Sequence, residues 1–114
     1  MNLPRFTLTI AFLGISASFL FPSPSRAMGG QEIRFENHHF IPQTVEVTAG
    51  KPVVLKVINA SKETIEFESF KLNREVAMTP GETITVRLPA LGPGRYDFYD
   101  DFHQDVPEGA IVAK

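Results

Sequence analysis

The 114-residue sequence contains no cysteine. That absence excludes disulfides, thiolate metal sites, cysteine nucleophiles and a lipidated-cysteine anchor together. A surplus of positive charge is also missing: 11 Lys and Arg stand against 13 Asp and Glu, a formal net charge of −2. Beyond position 27 the imbalance grows, because Arg5 and Arg26 drop out (11 − 2 = 9 basic against 13 acidic groups, net −4). Phosphate binding needs a basic face, so nucleic acid is excluded as a partner. No glycine-rich phosphate loop occurs, and the glycines fall in turns. Neither Ser61 nor Ser69 has a His/Asp neighbourhood in sequence that would make it a nucleophile. No segment holds a 3.6-residue apolar period over helical length. The length has room for one domain, and one this small wants a metal or a closed β-architecture to supplement its core.

Met1 to Ala27 reads as an export segment. Arg5 precedes an apolar stretch from Phe6 to Phe21, and a Pro/Ser section ends in Ser25-Arg26-Ala27. Small residues at Ser25 and Ala27 suit a signal peptidase, which places cleavage after about Ala27. The apolar run is shorter than the roughly 20 residues of a spanning helix. No twin arginine is present, which favours the general secretory route and a periplasmic product. The division expected is therefore 1–27 signal peptide and 28–114 folded domain.

The remainder alternates like a set of short strands. Glu32–Glu36, Thr44–Thr48, Pro52–Asn59, Glu63–Glu68, Glu82–Leu88, Arg95–Asp100 and Gly109–Ala113 are separated by turn signals such as Ala49-Gly50, Pro80-Gly81 and Gly92-Pro93-Gly94. Phe70–Met78 reads as strand, helical turn or loop. About seven or eight strands at this spacing predict an all-β sandwich or barrel.

Several motifs then carry a resemblance. Phe40-Ile41-Pro42, Val45-x-Val47-x-Ala49-Gly50-Lys51-Pro52-Val53 and Val57-Ile58-Asn59 are similar to the opening of bacterial cupredoxin-like domains. Pro93-Gly94-Arg95-Tyr96-Asp97-Phe98, Phe102-His103 and Gly109-Ala110-Ile111-Val112 are similar to their ending. Glu66-Phe67-Glu68-Ser69-Phe70, Arg74-Glu75 and the run from Tyr96 to His103 resemble the EfeO-type group and the small periplasmic cupredoxin-like subunits of bacterial iron-uptake operons. The resemblance implies a Greek-key β-sandwich with a metal site at one end. It also implies an inner-membrane iron permease and another periplasmic iron/copper-binding protein as partners. Copper cupredoxins bring Cys, His and often Met to the ion. Here the Cys position is Asp100, the His is His103, the Met position falls near Val106 or Pro107, and the upstream His slot falls at Ile65 or Glu66. A type 1 blue-copper centre needs the thiolate and is excluded.

Strand alternation puts Glu66 and Glu68 on one face, roughly 6.5–7 Å apart along the strand, with Ile65 and Phe67 on the other. A solvated strand face, or a Glu68–Arg74 pair, is the plain alternative. Asp100 shares parity with Tyr96 and Phe98 and so points inward, where a carboxylate needs a cation or donors. His103 or a shared metal would meet that need, as would the backbone of a capped loop. Asp101 has the opposite parity and faces solvent. The expectation is a single metal centre of Glu66, Glu68, Asp100 and His103, with Glu75 and Asp101 as weaker members. Such ligands suit iron, Mn²⁺, Cu²⁺ or Zn²⁺, and the resemblance puts iron (Fe²⁺ or Fe³⁺) first and copper second. His38 and His39 read as an exposed loop pair and an accessory or pH-sensitive site. Phe67, Phe70, Phe98 and Phe102 read as core or site wall. The function expected is periplasmic metal binding in iron uptake, with no catalytic residues. A ferroxidase and a metal-free interaction module stay open as alternatives.

Overall fold

The computed structural model describes residues 2–4, 14 and 30–114. The expected export segment and its cleavage after Ala27 lie outside the described residues, positions 2–4 and 14 aside. Among the described residues there is no helix, and nine strands appear: β1 (Gly30–Glu36), β2 (His39–Ile41), β3 (Thr44–Val47), β4 (Val53–Asn59), β5 (Ile65–Ser69), β6 (Arg74–Met78), β7 (Thr83–Leu88), β8 (Gly94–Asp100) and β9 (Gly109–Ala113). Two more strands are present than the seven firm segments of the alternation pattern. β2 has only three residues, and β6 resolves the Phe70–Met78 stretch into a turn followed by a strand.

The strands form two sheets, β2-β1-β4-β7 and β3-β9-β8-β5-β6. The β1/β4 and β3/β9 pairs are parallel and the rest antiparallel. Alternation decides which side of each sheet is buried. In β4, Val53, Leu55, Val57 and Asn59 point inward; in β5, Ile65, Phe67 and Ser69 do. Phe35, Phe40, Phe67 and Phe98 meet at the centre with ring centroids 5.0–6.4 Å apart and mostly edge-on, the arrangement that aromatic quadrupoles favour. Gly109 lies opposite Phe98, and a Cβ there would drive into the Phe98 ring. Phe70 is 87% exposed in the β5–β6 turn and Phe102 is also exposed, so neither belongs to the core.

One polar side chain organises the end of the sandwich. Asn59 is fully buried and donates through Nδ2 to the carbonyls of Glu63, Met78 and Thr79, while its Oδ1 accepts from the Ser61 amide and hydroxyl. The Ala60 amide donates to the Phe35 carbonyl at 2.9 Å. These bonds fix the β4–β5 loop beside the β1–β2 turn. The segment after β8 reaches the same end.

Candidate metal centre

β5 is the middle element of the site, flanked by β6 and β8. Glu68 lies directly opposite Glu75 on one side and Tyr99 on the other. The Asp101 amide donates to the Glu66 carbonyl at 3.1 Å, which carries the β5–β8 ladder one step past the end of β8. Directly opposed residues share a face, so Glu66, Glu68, Glu75, Tyr99 and Asp101 gather on the outer face of the five-stranded sheet. One carboxylate oxygen each from Glu66, Glu68 and Asp101 lies within 4.8 Å of the other two. Among the described residues no basic side chain pairs with Glu66, Glu68, Glu75 or Asp101. Arg74, a conceivable partner for Glu68, instead donates to the carbonyls of Leu72, Asn73 and Arg87. Gln104 makes a long contact of 3.4 Å to Asp101 Oδ1.

Crowded carboxylates without a cation hold a proton. A hydrogen bond with Glu75, then burial, then the charges of Glu75, Asp101 and Glu68 push Glu66 up to about 7. Burial, followed by a hydrogen bond to Glu68 and nearby acidic charge, raises the Tyr99 phenol above its ordinary value. The cluster is thus an all-oxygen donor set with excess negative charge, of the kind that suits hard cations.

Asp100 lies on the other side of the sheet. It opposes the core residue Phe67 and is fully buried. Its Oδ1 accepts from the backbone amides of Glu66 at 2.9 Å and Phe102 at 3.1 Å, and its Oδ2 meets His103 Nδ1 at 2.7 Å. Both expected answers to the inward charge are used at once: the carboxylate caps the loop and pairs with the imidazole. That hydrogen bond is the chief reason His103 is raised above its usual value; burial opposes it, and the charges of Asp100, Glu63 and Asp105 assist.

The four residues expected to share one ion therefore occupy two places. Glu66 and Glu68 join Asp101 outside, with Glu75 at hand; Asp100 and His103 stay together at the sandwich end. The reason is pleat parity: the β5 carboxylates point away from the core and the last residue of β8 points into it. Asp101 was legible as outward, but its meeting with Glu66 depends on β5 pairing with β8. Tyr99 was not singled out, although its parity matches that of Asp101. His38 and His39 are both exposed, but they are not a loop pair: His38 lies in the β1–β2 turn, whereas His39 opens β2 and pairs with Glu36, because the two-residue turn returns the chain to the sheet at once.

A model of the Cupredoxin-like domain matches residues 9–113. The chain belongs to the cupredoxin-like domain family. An uncharacterised protein of Rickettsia prowazekii (strain Madrid E) is 40% identical over 81 residues, covering 71% of this chain and 65% of the relative. The matched part is thus under two thirds of that relative's length. Among solved structures, the metal-binding domain of the Streptococcus pneumoniae Cu(I)-exporting P-type ATPase CopA, with Cu(I), aligns with a TM-score of 0.67 at 15% identity, over 75% of this chain and 84% of that one. Reduced auracyanin from Roseiflexus castenholzii aligns with a TM-score of 0.64 at 14% identity, over 75% and 97%. Auracyanin A, a blue copper protein from Chloroflexus aurantiacus, gives 0.62 at 16% identity, over 75% and 98%. At such identities the likeness is one of fold.

The cupredoxin-like fold raises the question of a type 1 copper centre, and the residues present do not fit one. The thiolate that such a centre needs is absent. Both oxygens of Asp100, at the position expected for the sulfur, are engaged by two amides and an imidazole. Among the described residues no buried side-chain nitrogen or oxygen lacks a hydrogen-bond partner. Asp100, expected at the sulfur position, is a structural carboxylate in this chain.

Proposed function

We propose that this protein is an exported, periplasmic metal-binding domain whose cargo is iron, held on the outer face of the five-stranded sheet by Glu66, Glu68 and Asp101 with Glu75 beside them. One observation carries the reading: three carboxylates, two from β5 and one from the residue that follows β8, bring oxygens within 4.8 Å of one another, with no basic partner among the described residues. Carboxylate oxygens favour hard ions, and oxygen donors stabilise the ferric over the ferrous state. Tyr99, opposite Glu68, adds a phenol oxygen of the same character. The resemblance to EfeO-type subunits supports a place in iron uptake, with hand-over to an inner-membrane permease beside a second periplasmic iron/copper-binding protein. A shallow outer-face site suits transfer, because the ion remains open to a partner's ligands.

Anaerobic titration of the full chain with Fe²⁺, repeated with chelated Fe³⁺, tests this. One ion per chain is expected, with affinity lowered at least tenfold in a Glu66→Gln/Asp101→Asn variant. Equal affinity in parent and variant would contradict the assignment. Turnover of Fe²⁺ beyond one equivalent under oxygen would move the reading to a ferroxidase.

A further inference from the structure

A second group of metal-ligating side chains lies at the sandwich end, on none of the outer-face residues. Glu63 Oε2 is 3.5 Å from His38 Nε2 and 3.8 Å from His103 Nε2. The two imidazoles stand edge to face, with centroids 6.0 Å apart and an interplanar angle of 89°. Those nitrogen–oxygen separations exceed the roughly 2.7–2.9 Å of a charge-assisted hydrogen bond. They lie near the edge of about 3.4 Å that separates ligands around a tetrahedral ion bonded at about 2.0–2.1 Å.

Three features prepare these donors. Asp100 Oδ2 lies 2.7 Å from His103 Nδ1, so in the neutral ring with its proton on Nδ1 that nitrogen donates to Asp100 and Nε2, 3.8 Å from Glu63 Oε2, is the nitrogen free to ligate. A buried carboxylate behind a histidine is the recurrent support of metal-bound imidazole. Asn59 holds the Glu63 backbone through its carbonyl at 2.8 Å, so the loop that carries the carboxylate is anchored from the core. His38 occupies a costly position. Glu36 pairs with His39, so Asn37 and His38 form a two-residue hairpin turn, with φ of 51° and 58°. Both central positions of such a turn prefer Gly or Asn, with Gly favoured at the second. A histidine there accepts a left-handed backbone that glycine would adopt without strain. The imidazole is more than half exposed, and its one packing contact with the core is the edge of its ring near Phe35, centroids 6.5 Å apart.

We infer that His38, Glu63 and His103 form a second metal site, for a borderline divalent cation of the Cu²⁺/Zn²⁺ class, with Asp100 as the positioning residue behind His103. Two imidazoles and a carboxylate match that class, in contrast to the all-oxygen outer face. The third edge is the open one: the ring nitrogens of His38 and His103 that face Glu63 do not come within 4.8 Å of each other, so an ion would draw His38 in by rotation of its exposed side chain, with a fourth position left to water or to a donor from a partner.

Electron paramagnetic resonance of the full chain with one equivalent of Cu²⁺ tests the site. Hyperfine coupling from two imidazole nitrogens is expected, and His38→Gly, which suits the left-handed turn, is expected to leave one nitrogen and an affinity at least tenfold lower. Glu63→Gln is expected to lower the affinity with both nitrogens kept. Glu66→Gln/Asp101→Asn, which tests the outer face separately, is expected to leave the spectrum unchanged. A spectrum and affinity unaffected by His38→Gly in a protein whose melting temperature is not lowered would overturn the inference. So would copper coupling lost on Glu66→Gln/Asp101→Asn and kept in the histidine variants.

Discussion

The outer face of the five-stranded sheet treats its acids in two ways. Toward the start of β8, Asp97 lies between Arg95 Nε at 2.8 Å and Lys71 Nζ at 3.2 Å. Burial works against its ionisation, but hydrogen bonds from Arg95 and Lys71 outweigh that and hold its carboxyl below the usual value. Toward the other end of the same face, Glu66, Glu68, Glu75 and Asp101 share no cation among the described residues, and Glu66 is pushed up to about 7. The domain can supply a lysine and an arginine to one carboxylate while four others close by have none. An acidic composition alone would spread the deficit evenly. Its concentration where three carboxylates converge is what a site for a multivalent cation requires.

That contrast can be broken most forcefully from beneath. Asp100→Ala removes the carboxylate that holds the Glu66 and Phe102 amides and His103, and it leaves buried donors unpaired. Urea unfolding is expected to show a loss of about 3–5 kcal/mol. A loss under about 1 kcal/mol would mean that the end of β8 does not depend on it. Asn59→Ala, which frees the loop bearing Glu63 but touches no residue of the outer face, is expected to cost about 2–3 kcal/mol in the same assay. Outer-face iron affinity should be unchanged in that variant.

The pH dependence sharpens the comparison. Glu66 has a folded value near 7 against an ordinary 4.5, so the native state binds more protons than the unfolded state between those values. Native stability from this group is present at low pH and declines as pH rises through that window. His103 is also raised, so its contribution is complete below its ordinary 6.5 and is lost as pH climbs through the higher folded value. Glu66→Gln should abolish the first decline and His103→Gln the second, as seen in melting temperature across pH. Metal binding runs the other way, because the ion displaces the Glu66 proton. Fe²⁺ affinity of the parent should be about tenfold weaker at about pH 6 than at about pH 8. A flat affinity profile would detach Glu66 from the site. The smallest effect belongs to the neutralised acid: Lys71→Ala, at an exposed pair, should change stability by about 0.5 kcal/mol and leave metal binding as it was.

Much of this was legible in the residues. Alternation in Pro52–Asn59, Glu82–Leu88 and Arg95–Asp100 located β4, β7 and β8 to within a residue, because one buried face imposes a period of two. The same parity separates Glu66 and Glu68 from Ile65 and Phe67, and Asp100 from Asp101. What parity on single strands leaves open is which strands are neighbours. Only the β5–β8 pairing brings Asp101 to Glu66 and Tyr99 to Glu68, and sets the inward Asp100 opposite Phe67. β2 was too short to show a period. Its turn was hidden because Asn37-His38 departs from the Asn-Gly pattern that marks a two-residue hairpin. Phe70 and Phe102 mislead by type, since large aromatics suggest a core that the chain places elsewhere.

The outer-face claim is met most directly by an anomalous-difference map from crystals of the protein grown with iron. The account predicts a peak about 2.0–2.2 Å from carboxylate oxygens of Glu66, Glu68 and Asp101. Iron density confined to His103 and its neighbours, with Glu66 and Asp101 bearing none, would contradict it.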